Sequence, residues 1–312
     1  HGGSDCWVLK LDLNGNLVWQ KSLGSTGSDS GTSIQQTTDG GYIVAGVSGS
    51  NDGDVTGYHG GIADFWVLKL DAAGNIVWQK SMGGTQKEVA TSIRQTGDGG
   101  FIVAGYSNSN DDDVAGNHGT NPLYDCWILK LDGSGTITWQ KSLGSSGDDV
   151  AYSVVQTIDN GFAVAGYSTI NDGDVTGNHG YHDCWIVKLS SGGNLIWQKS
   201  LGGGGDDVGR SLQQTSDGGF IVAGYTNSSD GDLSGIWGSV YGSGYGYWLF
   251  KLSSGLFQTT YYADIDGDGY GYELRSIKHR YFFVEKFHET DFKKITPRAP
   301  MGSRVFDLTQ IL

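Results

Sequence analysis

The chain has 312 residues, a formal net charge of −14, and 53 glycines beside 3 prolines. The glycines follow no Gly-X-Y period, which excludes a collagen-like rod, and 10 Trp, 16 Tyr and 11 Phe provide apolar material for a folded core. No apolar run reaches the ~18 residues that a membrane-spanning helix needs. Residues 1–271 carry a net charge of −17 and residues 272–312 one of +3. The acidic body disfavours nucleic acid and anionic membranes as partners, because both are polyanions.

The sequence repeats itself with a period of about 60 residues, a length typical of architectures in which each unit buries its apolar surface against the next. The first Trp of each copy lies at positions 7, 66, 127, 185 and 248, and the second at 19, 78, 139 and 197. The whole region therefore predicts one domain built by repetition rather than several unrelated ones.

Each period predicts four strands and no helix. In chain order these are FWVLKL (65–70), IVWQKS (76–81), TSIRQT (91–96) and FIVAGYS (101–107). The Asp-Gly pair between the last two runs predicts a tight hairpin, since Gly supplies the positive φ that such a turn needs.

The predicted strands carry apolar residues on both faces. In the run WVLKL, Trp66 and Leu68 point one way and Val67 points the other. A sheet that is apolar on both faces must be covered by neighbours on both sides, which predicts an all-β protein, a β-propeller of four-stranded blades. A β-sandwich and a β-helix are the alternatives. They fit less well, because a sandwich gives no reason for a strict period and a β-helix normally has shorter rungs.

The repeated residues also carry a resemblance to a known family. The pattern D-x-W-V-x-K-L-D-x-x-G-N-x-V-W-Q-K-S-x-G-G, followed by S-I-x-Q-T-x-D-G-G-[FY]-I-V-A-G-Y-S, resembles the bacterial SBBP-type β-propeller repeat of secreted and surface proteins and covers residues 5–257. The resemblance implies a propeller fold and an extracellular setting, and the family has no common catalytic site to carry over. The stretch L-D-x-x-G-N-x-x-W is more weakly similar to repeats of quinone-dependent dehydrogenases.

By analogy with such blades, the Ser-Ile strand is expected to be innermost and the Trp-Gln-Lys strand outermost. The repeat region, residues 1–258, then divides into a half-blade at 5–22 and four blades at 31–82, 90–143, 149–201 and 208–257. Four full blades and a half favour a fragment of a larger ring. An acidic calcium-type loop at 259–271 follows, and residues 272–312 form a basic tail without repeat phase.

The loop after the repeats is the sharpest local motif. Its three carboxylates at alternate positions followed by Gly are suited to wrapping a hard cation with oxygen ligands. The motif resembles the calcium loops of EF-hands, dockerins and thrombospondin type 3 repeats, but Arg275 stands where an EF-hand has its bidentate Glu. The predicted Ca²⁺ ligands are Asp264, Asp266, Asp268, Tyr270 through its carbonyl, and Glu273. An acidic Gly-rich linker is the alternative.

A second acidic motif recurs between the F-I-V-A-G-Y-S strand and the F-W-V-L-K-L strand that follows it, which are the second and third strands of a blade, at 51–60, 110–119, 171–180 and 229–238. It predicts further candidate Ca²⁺ ligands at Asp52, Asp54, Asp111, Asp113, Asp172, Asp174, Asp230 and Asp232. The connection between repeats is expected on the same side, lining it with Asp29, Glu88, Asp148, Asp149, Asp206 and Asp207. The alternative is a set of Asx-turns and solvated loops, with His59, His118 and His179 packing locally.

Two other residue types recur without predicting a reactive site. Cys6, Cys126 and Cys184 occupy the position that holds Phe65 in the second copy, so they are expected to be buried free thiols. The Lys residues of K-L-D and W-Q-K-S are expected to be solvated or edge charges that discourage strand pairing.

No catalytic pattern stands out. There is no nucleophile elbow in a strand-to-helix setting, and every candidate acid is repeated, whereas an active site is usually unique. The sequence therefore predicts a non-enzymatic, secreted or cell-surface binding or structural module with an extracellular protein or glycan partner. A glycan-active hydrolase or lyase is the alternative, and a quinone-dependent dehydrogenase is a weaker one. The chain begins at His1, already in repeat phase, so the absence of a signal peptide carries no information.

Overall fold

The computed structural model describes residues 1–119, 122–233 and 245–253 in full, and the backbone of three later strands between residues 259 and 286. This part of the chain is all-β: it holds no α-helix and one short 3₁₀ turn, Gly231–Leu233. The predicted calcium ligands at 264–270 lie outside the described residues.

The strands form five antiparallel sheets in chain order, and neighbours in each sheet are neighbours in sequence. The first sheet has two strands, β1 (Cys6–Leu11) and β2 (Leu17–Leu23). The second has β3 (Ser30–Gln36), β4 (Tyr42–Ser48), β5 (Asp64–Leu70) and β6 (Ile76–Met82). The third has β7 (Glu88–Gln95), β8 (Phe101–Ser107), β9 (Asp125–Leu131) and β10 (Ile137–Leu143).

The fourth sheet repeats this plan and the fifth extends it. The fourth has β11 (Asp149–Gln156), β12 (Phe162–Ser168), β13 (Asp183–Leu189) and β14 (Leu195–Leu201). The fifth has β15 (Asp207–Gln214), β16 (Phe220–Thr226), β17 (Gly246–Leu252), β18 (Thr259–Ala263), β19 (Tyr272–Ile277) and β20 (Tyr281–Lys286). None of these sheets closes into a barrel.

The predicted Asp-Gly hairpins are present in all four copies. The turn residue after the Asp has a positive φ of 82° at Gly40, 83° at Gly99 and 79° at Gly218, and Asn160 takes the same role at 60°. The prediction for the K-L-D lysines was wrong. Lys69 is buried, and its Nζ lies 2.9 Å from Asp39 Oδ2 in the hairpin turn of its own sheet. Lys130 and Lys188 repeat this pairing with their own turn aspartates.

Consecutive sheets pack on each other through two apolar faces of the third strand; β1 of the two-stranded first sheet corresponds to the third strand of the later sheets. One, which we call the Trp face, carries the first Trp and the residues two and four positions later. The opposite one, which we call the Cys face, carries the residue before that Trp and the residue after it. At the first junction Cys6 and Val8 pack against Trp66, Leu68 and Leu70 of the next sheet. The same arrangement recurs at the three later junctions.

The free cysteines are part of this packing. Cys6, Cys126 and Cys184 are buried and unpaired on the Cys faces of their sheets, which confirms the sequence prediction. Because burial disfavours the thiolate, the pKa of Cys6 is raised to about 11. These thiols are therefore packing groups rather than nucleophiles.

The second Trp of the first three copies packs against a turn of the next sheet. The Trp78 ring packs on the turn at Gly135 and meets Phe101 edge-on, with ring centroids 5.9 Å apart. Trp19 and Trp139 occupy the same position against Gly74 and Gly193. Each turn glycine has φ near +80°, so the side-chain-free position serves both the turn and the close approach of the ring.

We expect Gly135→Ala to destabilise the protein more than Gly99→Ala. Both glycines have φ near +80°, but a Cβ at Gly135 would lie 2.8 Å from the Trp78 ring, whereas Gly99 has nothing within 4 Å. The shared backbone strain costs ~1–3 kcal/mol, and the clash adds ~1–3 kcal/mol at position 135 only. Urea unfolding at constant m-value measures the difference, and equal losses would contradict the proposed role of the Trp–turn contact.

Candidate functional site

The acidic loop between the second and third strands lies against the connection between sheets, as the sequence predicts. The two segments are joined by hydrogen bonds from Thr26 to Asp52, at 2.6 Å from the backbone N–H and 2.5 Å from the hydroxyl. Thr85 and Ser146 bond Asp111 and Asp172 in the same way. In the fourth copy the Gly204 N–H donates to Asp230.

The second aspartate of each acidic loop makes a matching contact. The N–H of Gly24 donates to Asp54 at 3.1 Å, and Gly83, Gly144 and Gly202 donate at 3.3 Å to Asp113, Asp174 and Asp232. The eight aspartates proposed from sequence as calcium ligands therefore accept hydrogen bonds that clamp two loops together. Within residues 1–119, 122–233 and 245–253 there is no group of three Asp, Glu, His or Cys side chains arranged to hold a metal. Their role as calcium ligands stays a prediction.

The proposed ligands near the C-terminal end are not brought together by the described residues. Asp264, Asp266, Asp268 and Tyr270 lie outside them, and Glu273 is placed only by the backbone of β19, where it pairs with Tyr262. That calcium site also stays a prediction.

The acids at or next to the start of each first strand are buried. The sequence places Asp29, Glu88, Asp149 and Asp207 on the same side as the acidic loops, and in the structure none of the four side chains is exposed. The reason is that each turns back onto the connection before it: Asp149 Oδ2 accepts from the Ser145 N–H at 2.6 Å and its hydroxyl at 2.8 Å.

A second set of buried acids was not assigned a role from the sequence. Asp64, Asp125 and Asp183, at the start of the third strands, are fully buried. Each accepts two hydrogen bonds from the histidine of its own acidic loop: from His59, the N–H is 2.9 Å and Nδ1 2.7 Å from Asp64 Oδ2. His118 and His179 make the same pair, and His1 Nδ1 lies 3.1 Å from Asp5. The four His–Asp spacings of four to seven residues were the available sequence signal.

The two buried acids of a junction converge on one glycine. A Cβ on Gly202 would lie 2.7 Å from Asp207 Oδ2 and 2.9 Å from Asp183 Oδ1, and one on Gly83 would lie 2.5 Å from Glu88 Oε2 and 3.1 Å from Asp64 Oδ1. The Oδ1 atoms of Asp64, Asp125 and Asp183 have no hydrogen-bond partner. Two acidic groups therefore share one buried space, a placement that opposes their simultaneous ionisation.

Burial and mutual repulsion govern the protonation of these groups. Burial raises the pKa of Asp149 to about 7, and the charge of Asp125 adds to the increase. Burial likewise raises the pKa of Asp64, although its hydrogen bonds from His59 work against it. For His59, burial lowers the pKa, but the hydrogen bond and charge of Asp64 outweigh it and the net shift is upward. Asp149, Asp64 and His59 therefore hold protons more tightly in the folded state than in the unfolded chain.

The fifth sheet provides an internal comparison. In its acidic loop Trp237 stands where the other copies have His, and Gly246 stands where they have the buried Asp. Histidine and acid are thus absent together. This joint change is expected if the histidine serves to neutralise and orient the buried carboxylate, because removing one partner leaves an uncompensated charge or an unfilled bond.

Comparison with known proteins gives one partial similarity to report. No protein-family model matches the chain. The regulatory protein FlaEY of Caulobacter vibrioides is 31% identical over 150 residues, which cover 43% of this chain and 15% of that protein. In the described residues no helix is long and apolar enough to cross a bilayer.

We expect the protein to become more stable as the pH falls from about 8 to about 6. A folded-state pKa raised above the unfolded value contributes stability that is present at low pH and is lost as the pH rises through it, and Asp149 and His118 both have this sign. Below about pH 4 stability should fall, because the pKa of Asp159 is held down to about 2 by Thr157 and Lys188.

Thermal melts at constant ionic strength measure this profile. Asp149→Asn should reduce the change in melting temperature between neutral and mildly acidic pH, whereas Asp132→Asn should leave it unchanged, because the pKa of Asp132 is lowered and the group stays ionised over this interval. A melting temperature that rises with pH over this interval would contradict the assigned protonation.

Proposed function

We propose that this chain is a β-propeller-type repeat module that acts outside the cell as a binding or structural scaffold without chemistry of its own. The observation that carries the proposal is the use of the carboxylates. In copy after copy, the carboxylates of the acidic loops and of the strand starts accept hydrogen bonds that hold one loop or sheet to the next. The carboxylates that could otherwise serve in catalysis are therefore engaged in structural contacts. An enzyme on the same scaffold would need a unique acid pair.

A radial arrangement of the sheets is supported by contacts between their first strands. The Thr32 hydroxyl donates to the Ala90 carbonyl at 2.7 Å, and Thr91 donates to Ala151 at 2.8 Å. β7 contacts both β3 and β11, and β15 contacts β11. In a propeller the first strand of every sheet lies next to the central axis and the other strands lie further from it. Contacts between successive first strands are therefore expected in that fold.

The inner strands also supply a candidate binding surface, because the copies differ there. Tyr152 and Arg210 stand where the earlier copies have Thr32 and Thr91. The Arg210 guanidinium lies 3.8 Å from the centre of the Tyr152 ring and 5.4 Å from that of Tyr225. Aromatic rings beside an exposed guanidinium can stack on a sugar ring and donate hydrogen bonds to its oxygens.

An extracellular glycan is therefore the ligand class to test first. We expect the chain to bind members of a panel of extracellular polysaccharides without releasing products. Tyr152→Thr and Arg210→Thr, which restore the residue of the earlier copies, should weaken binding about tenfold or more, the effect of losing roughly 1.4 kcal/mol of contact. Ile158→Thr, at a largely exposed position in a hairpin turn, serves as the control. Release of shorter sugars would refute the non-enzymatic assignment.

Calcium is proposed as a stabilising ion of the loop at 264–273, supported by its spacing of carboxylates. We expect millimolar Ca²⁺ to raise the unfolding free energy by about 2.7 kcal/mol when free calcium is ~100 times the dissociation constant. Asp266→Ala with Asp268→Ala should abolish the difference between calcium and EDTA. Asp111→Asn should destabilise the protein equally in both, because Asp111 clamps Thr85. Loss of the calcium effect in Asp111→Asn would instead indicate that the ion binds in the repeated acidic loops.

A further inference from the structure

Two junctions between sheets each bury a pair of aspartates that lack hydrogen-bond donors. Between the third and fourth sheets the pair is Asp125 and Asp149, and between the fourth and fifth it is Asp183 and Asp207. All four residues are fully buried, and Oδ1 of each has no hydrogen-bond partner in the described part of the chain. A buried carboxylate oxygen without a donor is costly, so these four atoms require another ligand.

The two carboxylates of a pair face the same space. At the junction of the fourth and fifth sheets this space adjoins Gly202, since a Cβ there would lie 2.9 Å from Asp183 Oδ1 and 2.7 Å from Asp207 Oδ2. The Ser200 hydroxyl is also buried and without a partner. In the second sheet the equivalent Ser81 donates to Asp64 at 3.2 Å, which indicates that this hydroxyl lies beside the acid. The corresponding residues at the other junction are Asp125, Asp149, Gly144 and Ser142.

The second oxygen of each acid is already engaged. Asp183 Oδ2 accepts from the His179 N–H at 2.9 Å and pairs with its Nδ1 at 2.7 Å. Asp207 Oδ2 accepts from the Gly203 N–H at 2.8 Å and the Ser228 hydroxyl at 2.7 Å. These bonds fix the orientation of both carboxylates and leave one oxygen of each for a further ligand. Among the described residues neither acid has a lysine or arginine within ion-pair distance.

We propose that each of these two junctions binds one Ca²⁺ ion between its two aspartates. Two carboxylates match the charge of a divalent ion, and an ion between them replaces their repulsion by attraction. The donors are hard oxygens, which Ca²⁺ prefers, and the serine hydroxyl and water can complete its coordination. Mg²⁺ suits such a buried place less, because it gives up its water reluctantly.

The proposed site is a mixed one. The described residues contain no group of three Asp, Glu, His or Cys side chains that could hold a metal, so the remaining ligands here must be neutral oxygens. In the absence of the ion, protons take its place on the acids. The pH profile predicted above is therefore that of the protein in a chelator.

The junction between the second and third sheets provides an internal contrast. Its pair is Asp64 and Glu88, and the longer side chain of Glu88 is engaged at both oxygens. Oε1 accepts from the Ser107 hydroxyl at 2.7 Å and Oε2 from the Gly84 N–H at 2.9 Å. This pair has one oxygen without a donor instead of two, and we expect no calcium there.

Counting bound calcium on the full chain tests the proposal. Asp266→Ala with Asp268→Ala forms the background, so that the loop at 264–273 cannot contribute. After EDTA treatment and removal of the chelator, equilibrium dialysis with radioactive calcium gives the number of ions per chain. Asp125→Asn and Asp183→Asn should each lower this number by one, and Asp64→Asn, the matched buried control, should leave it unchanged.

A second variant of the same pair guards against a fault of folding. Asp149→Asn should remove the same ion as Asp125→Asn, and a cooperative melt in EDTA will show that each variant folds. Calcium should raise the melting temperature of the background chain more than an equal concentration of Mg²⁺ does. The proposal is overturned if the background chain binds no calcium, or if the folded variants bind as much as it does. A buried water or a shared proton would then be the partner of these oxygens.

Discussion

The structure depends on sheets that are apolar on both faces. A strand such as Asp64–Leu70, buried along its whole length, has no side on which water is acceptable, so no sheet can be stable without a neighbour on each side. Burial of apolar surface contributes roughly 25 cal/mol per Å² to stability. A Trp face contributes this free energy only when the Cys face of a neighbouring sheet covers it. Repetition solves the problem because every copy brings both faces. The stability of such an array is then set by junctions more than by single sheets.

The junctions between sheets also contain buried polar groups. At Gly83 and at Gly202 two buried acids lie around one glycine, and a histidine bonds one acid of each pair. Replacing a buried charge pair by well-packed apolar groups is often neutral or stabilising, so the pairs are better understood as devices of register. The His59–Asp64 bond fixes the acidic loop, and that loop then bonds the connection that leads into its own sheet. A shifted sheet would leave several buried charges unpaired at once.

Much of the architecture was predictable, because period, hairpin turns and two-faced strands are local properties. The Asp98-Gly99 turn and the burial of Cys126 follow from chemistry within a few residues. The partners of the acids were not predictable in the same way. Asp111 reads as a calcium ligand in sequence because spacing does not reveal that the Thr85 backbone lies beside it. Lys69 reads as a surface charge because its partner in the turn is 30 residues away. Long-range contacts decide whether a carboxylate binds an ion, a backbone or a lysine.

Differences between copies show where the scaffold is free to change. Where two side chains bond each other, a change in one is matched in the other, as when His and Asp give way together to Trp237 and Gly246. On the first strands the hydroxyls of Thr32 and Thr91 bond backbone carbonyls of the next sheet, which constrain no side chain, and at that position Tyr152 and Arg210 replace Thr while the strand is retained. Repetition therefore separates two tasks: the shared residues build the stack, and the residues that differ are available for recognition.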